Sequence, residues 1–412
     1  MRKKIKSYIP FISFSVLSLS AQGLVFIFNI LVANKLPVET FGRYSLIISI
    51  VNLLLLLSCQ WHTSMMQYCG SIEYSKNGNI RETNQVRNLL FAICYGLVVI
   101  FVFIFRGKLK QYVGGDYLMI ILTLVFVKGL QELFSSYLIA SGKRQISALN
   151  LLAIQVVNIF FVVLLKGDMG IIMTVQILAN ILCIQMMPYV NLKDFIPKRI
   201  DGEAFKICMN FALWQLMGSL AIYIISYGDN YIIKIFLSNS DIAVYNAAYK
   251  IFNAVFLASN IIATYYISPL ARALKNKENK TIKNIFWNER LVIFGLCVIL
   301  HIGLIVFAPQ LFDVLYKGKY YESISIFRIL MISSVLRYWI VFEMLYFNSV
   351  GRIRVQQILN VISALLKVGL SFIFIYFFGL IGIAFATLVS NSIMGIASFC
   401  LSEKEIWGLS NS

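Results

Sequence analysis

Charge is what this chain has least of. Only 13% of its 412 residues are Asp, Glu, Lys or Arg, about half the share of an ordinary soluble domain, which excludes a conventional water-soluble globule. The scarce charge is also lopsided, 18 acids against 36 Lys and Arg. Histidine is nearly absent: His62 and His301 stand alone, each read as a structural side chain rather than a metal ligand. The seven cysteines are odd in number and lack C-x-x-C spacing, so neither a disulfide framework nor a thiolate metal site is indicated. Cys94, Cys183 and Cys297 fall inside apolar runs and read as small buried hydrophobes. No Walker A stretch, H-E-x-x-H or G-x-S-x-G is present, and the connections between apolar runs are too short for a catalytic domain outside a membrane. ATP hydrolysis is excluded, and nothing calls for a cofactor.

What the chain has in abundance is apolar length, with 59% hydrophobic residues. Runs of about 20 residues recur, each long enough at 1.5 Å per residue to cross a roughly 30 Å hydrocarbon core. Twelve such runs occur, at 9–33, 42–64, 88–105, 117–139, 146–165, 170–190, 206–234, 242–266, 287–308, 324–347, 354–377 and 380–400. They lack the alternation of a transmembrane barrel, so the expected class is an all-α membrane protein with twelve transmembrane helices. The opening "MRKKIKSYIPFISFSVLSLSAQ" is basic and then apolar, but the run continues past the length of a signal core and predicts an uncleaved first span.

The positive charge is concentrated on one side. Arg2, Lys3, Lys4 and Lys6 precede the first run, Lys76, Arg81, Lys143, Arg144, Lys193, Lys198, Arg199, Lys277, Lys280 and Lys283 fall in connections on that same side, and Arg87 and Arg290 stand at the ends of runs there. The positive-inside rule therefore places both termini in the cytoplasm. This charge sets topology and meets anionic headgroups of membrane lipids; no nucleic-acid partner is implied.

The chain also reads as doubled. "LPVETFGRY" from Leu36 aligns without gaps on "LSNSDIAVY" from Leu237, an offset of 201, each between two runs and each ending in Tyr. "SGKRQISALN" from Ser141 resembles "VGRIRVQQILN" from Val350, Gly142 and Gly351 standing 209 apart. Each half ends its fifth run in a Gly-x-x-Gly hinge, Gly167 and Gly170 in one and Gly379 and Gly382 in the other. Six runs per half make the repeats parallel. The expected lobes are 1–200 and 201–412, joined by 191–205 with Pro197 inside and Pro188 just before, facing a central cavity.

Beyond the first five residues of each run, eight charges fall inside the runs: Lys128, Glu132, Asp229, Lys234, Lys250, Arg337, Glu343 and Lys367. Facing lipid they would cost on the order of 20 kcal/mol together, so most must face protein or water. Five are positive and three negative, a net of +2 that favours an anionic cargo in a low-dielectric cavity. Alternatives stand beside that reading. Lys128 and Glu132, at i and i+4, can neutralise each other; Lys234 can snorkel to the interface; and Asp229 can pair with Lys250 on the next helix or exchange a proton or cation.

Five stretches carry a family resemblance: "LPVETFGRYSL", "SGKRQIS", "GDNYIIKIFLSNSDIAVYNAAYKI", "APQLFDVLYKGKYYESISIFRIL" and "FFGLIGIAFATLVS". In this order, with twelve spans, the chain resembles Wzx-type polysaccharide flippases of the multidrug, oligosaccharidyl-lipid and polysaccharide exporter superfamily. The resemblance implies a MATE-like V of two six-helix bundles working by alternating access. It implies a lipid-linked oligosaccharide substrate, undecaprenyl-diphosphate-bound, moved across the bacterial inner membrane for O-antigen or capsule, with a polymerase and a chain-length regulator as partners. Lys128, Lys250, Arg337 and Lys367 would then bind anionic groups, while Glu132, Asp229 and Glu343 tune or couple. Proton coupling, sodium coupling and downhill movement pulled by polymerisation all fit. A multidrug antiporter of the same fold would favour an acidic cavity, a lipid II flippase would carry two further helices, and a polymerase or ligase would need a large outward loop.

Overall fold

The structure is a computed structural model that describes residues 2–196, 202–350 and 352–411. Pro197, Lys198 and Arg199 of the expected linker and Gly351 of the repeat motif lie outside the described residues, as do the side chains of Arg2, Lys3, Lys4 and Lys6. All regular structure among the described residues is helical. Two compact units form, Met1–Leu220 and Ala221–Ser412.

The first unit holds α1 (Arg2–Lys35), α2 (Val38–Ser58), α3 (Thr63–Asn77), α4 (Arg81–Ile104), α5 (Arg106–Val113), α6 (Leu118–Ala140), α7 (Arg144–Leu164), α8 (Met169–Ile181) and the first part of α9 (Gly202–Phe236). The second holds the rest of α9, then α10 (Asn239–Lys275), α11 (Asn279–Lys283), α12 (Arg290–Val306), α13 (Ala308–Tyr316), α14 (Ser323–Ser349), α15 (Ile353–Phe378) and α16 (Leu380–Asn411). The element order repeats. α2 with α3 answers to α10, α4 to α11 and α12, the short α5 to α13, and α6, α7 and α8 to α14, α15 and α16, with starts displaced by 201 at Val38 and Asn239 and by 209 at Arg144 and Ile353.

Among the described residues, eleven helical segments are long and apolar enough to cross a membrane, and each overlaps an expected run. The remaining run, 242–266, lies in α10, whose 37 residues include Asn246, Lys250 and Asn253. That helix opens on a capping box: the Ser238 hydroxyl accepts the Asp241 N–H at 3.3 Å, and the Asp241 carboxylate accepts the Ser238 N–H at 3.0 Å.

Where α10 is continuous, its counterpart breaks. α2 ends at Ser58, six residues before the expected boundary, and a short 3₁₀ turn over Gln60–His62 leads into α3. A turn that departs from the α ladder leaves carbonyls to be satisfied. Trp61 donates its indole N–H to Leu57 O at 3.0 Å, and the buried His62 ring meets Ser58 O at 3.1 Å. His301 is likewise occupied, by Cys297 O at 2.7 Å and by Ser334. Both histidines thus serve structure.

The Gly-x-x-Gly pairs mark close backbone approach. A Cβ on Gly382 would lie 2.1 Å from Phe374 O, and one on Gly167 would lie 2.5 Å from Lys35 O, so neither position admits a side chain. The Lys35 ammonium adds a suture between the ends of α1 and α7, donating to Val163 O at 2.8 Å and Leu165 O at 2.7 Å. The first unit extends to Leu220 because Cys208 and Ala212 of α9 are buried in one apolar cluster with Trp61, Met65, Val86 and Leu90.

Candidate functional site

The second unit contains a polar cavity walled by α9, α10, α14, α15 and α16, with about 110 Å³ of space for water-sized occupants, room for several waters. Its polar lining is Ser226, Tyr249, Asn253, Arg337, Asn360, Lys367 and Thr387. Two of the expected cationic residues, Arg337 and Lys367, therefore meet in one space.

Lys367 is 2% exposed, and a buried ammonium needs a counter-charge and acceptors. It has both: Nζ lies 2.8 Å from Asp229 Oδ2 and donates to Ile225 O at 2.7 Å. Asp229, 3% exposed, also accepts the Tyr245 hydroxyl at 2.5 Å. Lys367 is thus a partner of Asp229, beside the Lys250 and proton or cation alternatives that the sequence offers for it. α15 brings its lysine against the turn of α9 that ends in Asp229, a cross-helix proximity that spacing along one helix does not reveal. Tyr245 is the last residue of the repeated motif; its counterpart Tyr44 accepts the Gln176 side-chain N–H at 2.6 Å, so both tyrosines brace helices.

Arg337 differs from Lys367. Its guanidinium lies 5.0 Å from the Phe256 ring, a cation–π contact, and among the described residues no carboxylate pairs with it within 4.0 Å. Its Nε is buried without a hydrogen-bond partner. The cavity therefore holds one neutralised cation and one available guanidinium, and a bidentate fork of donors suits phosphate or carboxylate.

The remaining expected residues lie elsewhere. In the first unit Lys128 and Glu132 are half-buried on α6, and no ion pair within 4.0 Å closes between them. The charged neighbour they bring in is Arg87 of α4, whose guanidinium donates to Leu133 O at 2.8 Å and Glu132 O at 2.9 Å. Lys234 donates to Asn239 Oδ1 at 2.9 Å across the α9–α10 turn. Lys250 is half-buried next to Tyr249 and does not line the cavity. Glu343 accepts from Arg290 Nη1 at 2.8 Å, the same nitrogen that donates to Glu403 at 2.5 Å.

Arg87 and Arg290 correct the sequence reading. Both read as charges at the cytoplasmic ends of spans, yet they are 0% and 1% exposed, because the helical chain starts earlier, at Arg81 and at Asn279, and packs these turns inside the unit. A signal existed: the two arginines stand 203 apart, close to the repeat offset. Asn253 and Asn360 carry no signal of their own, since nothing in their local sequence separates cavity polar groups from packing ones.

The family of polysaccharide biosynthesis proteins matches residues 11–271. The chain belongs to that family. Over 309 residues it is 20% identical to a probable low-salt glycan biosynthesis flippase, Agl15, of Haloferax volcanii, a match spanning 74% of this chain and 65% of that protein, short of two thirds of its length. Among solved structures it is similar to an inward-facing multidrug-resistance MATE family transporter of the MOP superfamily, at TM-score 0.78 and 16% identity over 95% of this chain and 96% of that one. It is also similar to the lipid II flippase MurJ in an inward closed conformation, at TM-score 0.77 and 14% identity over 97% and 90%. The fold of this family member is thus an all-α, multi-pass membrane fold of the MATE kind.

Proposed function

We propose that this polysaccharide biosynthesis protein is a flippase that moves undecaprenyl-diphosphate-linked oligosaccharide repeat units, of O-antigen or a related surface polysaccharide, from the cytoplasmic to the periplasmic leaflet of a bacterial inner membrane. The single observation that carries the reading is Arg337: a guanidinium that no carboxylate pairs among the described residues, in a polar cavity beside Lys367 and suited to an anionic headgroup. The glycan flippase of Haloferax volcanii supports the substrate class. A lipid-linked sugar diphosphate cannot cross hydrocarbon because its headgroup would lose hydration, whereas its isoprenoid tail can stay in lipid. A polar slot opening alternately to each side supplies that hydration.

In this reading residues 1–200 and 201–412 act as the two lobes. Arg337, Lys367, Lys128 and Lys250 hold anionic groups, Asp229 sets the availability of Lys367, and Glu132 and Glu343 tune their neighbours; Lys234 holds the outer turn. A polymerase and a chain-length regulator would take the product onward. Deleting the gene tests the reading: completed lipid-linked repeat units should accumulate on the inner leaflet and surface polysaccharide should fall. Unchanged polysaccharide with raised drug sensitivity would replace it with a multidrug exporter of the same fold.

A further inference from the structure

The second unit carries a buried charge cluster that the cargo cavity does not use. Arg290 opens α12, Glu343 lies on α14 and Glu403 on α16, and the three are 1%, 0% and 4% exposed. A single nitrogen, Arg290 Nη1, donates to both Glu343 Oε1 and Glu403 Oε1, at 2.8 and 2.5 Å. Among the described residues its other two nitrogens have no hydrogen-bond partner, and neither has Glu403 Oε2. The guanidinium is enclosed by the rings of Trp339, Phe286 and Trp287, at 4.1, 5.4 and 5.6 Å. The corresponding Arg87 of the first unit has no ion pair among the described residues and donates to the carbonyls of Leu133 and Glu132 and to the Thr63 hydroxyl.

One guanidinium and two carboxylates would leave an uncompensated negative charge inside aromatic walls, which is far more costly than a neutral acid. Ser402 Oγ lies against Glu343 Oε2 and 2.9 Å from Ser398 O, so this neutral neighbour of the pair brings no charge to offset it. Both carboxyl groups are drawn to the same Arg290 nitrogen, which sets them side by side in an arrangement that accommodates one proton on the pair.

We infer that Glu343 and Glu403 form a proton-binding site: the pair holds one exchangeable proton, shared under Arg290, and its release sets two carboxylates against one guanidinium and loosens α16 from α14. The surrounding titratable groups are otherwise engaged. Tyr266 of α10 bonds to Glu289, which also takes the Asn284 amide at 2.6 Å. Arg352 and Tyr346 both bond to Glu405, and hydrogen bonds from Arg352 first and Tyr346 second hold its carboxyl below the usual range. Lys280 and Lys283 of α11 are exposed, and Arg354 stands at the start of α15.

Infrared difference spectroscopy of the purified full-length protein, without cargo, tests the site. The wild-type protein should show a protonated-carboxyl C=O band that shifts in D₂O and disappears as pH is raised. Glu403→Gln and Glu343→Gln should each abolish that band completely, because a lone carboxylate is neutralised by Arg290 and no longer needs the proton. Fluorescence of Trp287 and Trp339, which stack on Arg290, should change over the same pH range in wild type and not in either variant. Absence of the band from wild type, or its survival in either variant, overturns the proposal; the wild-type titration alone decides should a variant fail to fold. These readouts need no substrate, so their failure is separate from failure of the flippase reading.

Discussion

Lys367 and Asp229 illustrate why a buried pair is tested by removing both partners as well as one. Either Lys367→Met or Asp229→Asn alone leaves a charge in a site only 2–3% exposed, which costs about 3–5 kcal/mol. The double variant removes both charges and should recover most of that loss. Thermal unfolding of the detergent-solubilised protein, followed by size-exclusion of a fluorescent fusion, should show both single variants well below the double. Equal destabilisation in all three would mean the pair does not interact as the 2.8 Å contact implies. Arg337 should behave differently. With no carboxylate partner to strand, Arg337→Gln should change stability by less than about 1 kcal/mol, while export of lipid-linked repeat units falls at normal membrane abundance. At Lys128, Lys128→Ala should abolish export and Lys128→Arg retain part of it if the ammonium holds cargo; recovery in the double Lys128→Ala, Glu132→Ala variant would instead assign it to neutralising Glu132.

At the scale of elements, the helix corners are where sequence pattern and backbone geometry agree most closely. Gly379 and Gly382 were legible as a hinge motif, and the structure supplies the cause: α16 starts immediately after α15 ends, and Gly379, at φ 58°, turns the chain. Gly382→Ala would press a methyl against the Phe374 carbonyl, which no rotamer change relieves, so the loss should reach at least the upper end of the roughly 1–3 kcal/mol of overpacking. Gly369→Ala, in α15 with nothing within 4 Å of its Cβ, should be neutral or stabilising by about 0.5–1 kcal/mol. The same unfolding measurement ranks the two, and the opposite order would mean the corner is looser than it stands. The apolar runs were legible because membrane helices must satisfy their backbone internally and show apolar faces outward. The break between α2 and α3 was not, since it depends on Trp61 and His62 reaching carbonyls one turn back. Nor were the partners of Lys367 and Glu343: a charge inside a span announces that it must face protein, but only tertiary packing decides which helix brings the counter-ion. Arg87 and Arg290 escaped because a charge at the start of a run looks like a loop end, and only packing shows that turn to be buried.

For the whole molecule, the repeated element order makes a claim about sidedness that can be checked without knowing the cargo. An even number of spans per half requires equivalent connections to emerge on the same side. The stretch around Lys108 on α5 and the stretch after α13 around Glu322 are equivalent in element order, as are the end of α3 at Lys76 and the region of α11 at Lys283. Excess Lys and Arg mark the second pair as cytoplasmic. All four side chains are exposed, so cysteine can replace each without cutting into a core. With the seven native cysteines replaced, a membrane-impermeant maleimide applied to intact cells should label Lys108→Cys and Glu322→Cys. It should reach Lys76→Cys and Lys283→Cys only after permeabilisation. Labelling that separates Lys108 from Glu322 would sink the parallel repeat, whereas a wholesale reversal would keep the repeat and invert the membrane orientation. Only the expected pattern leaves the cytoplasmic leaflet, where lipid-linked sugars would be assembled, on the side from which a flippase must load.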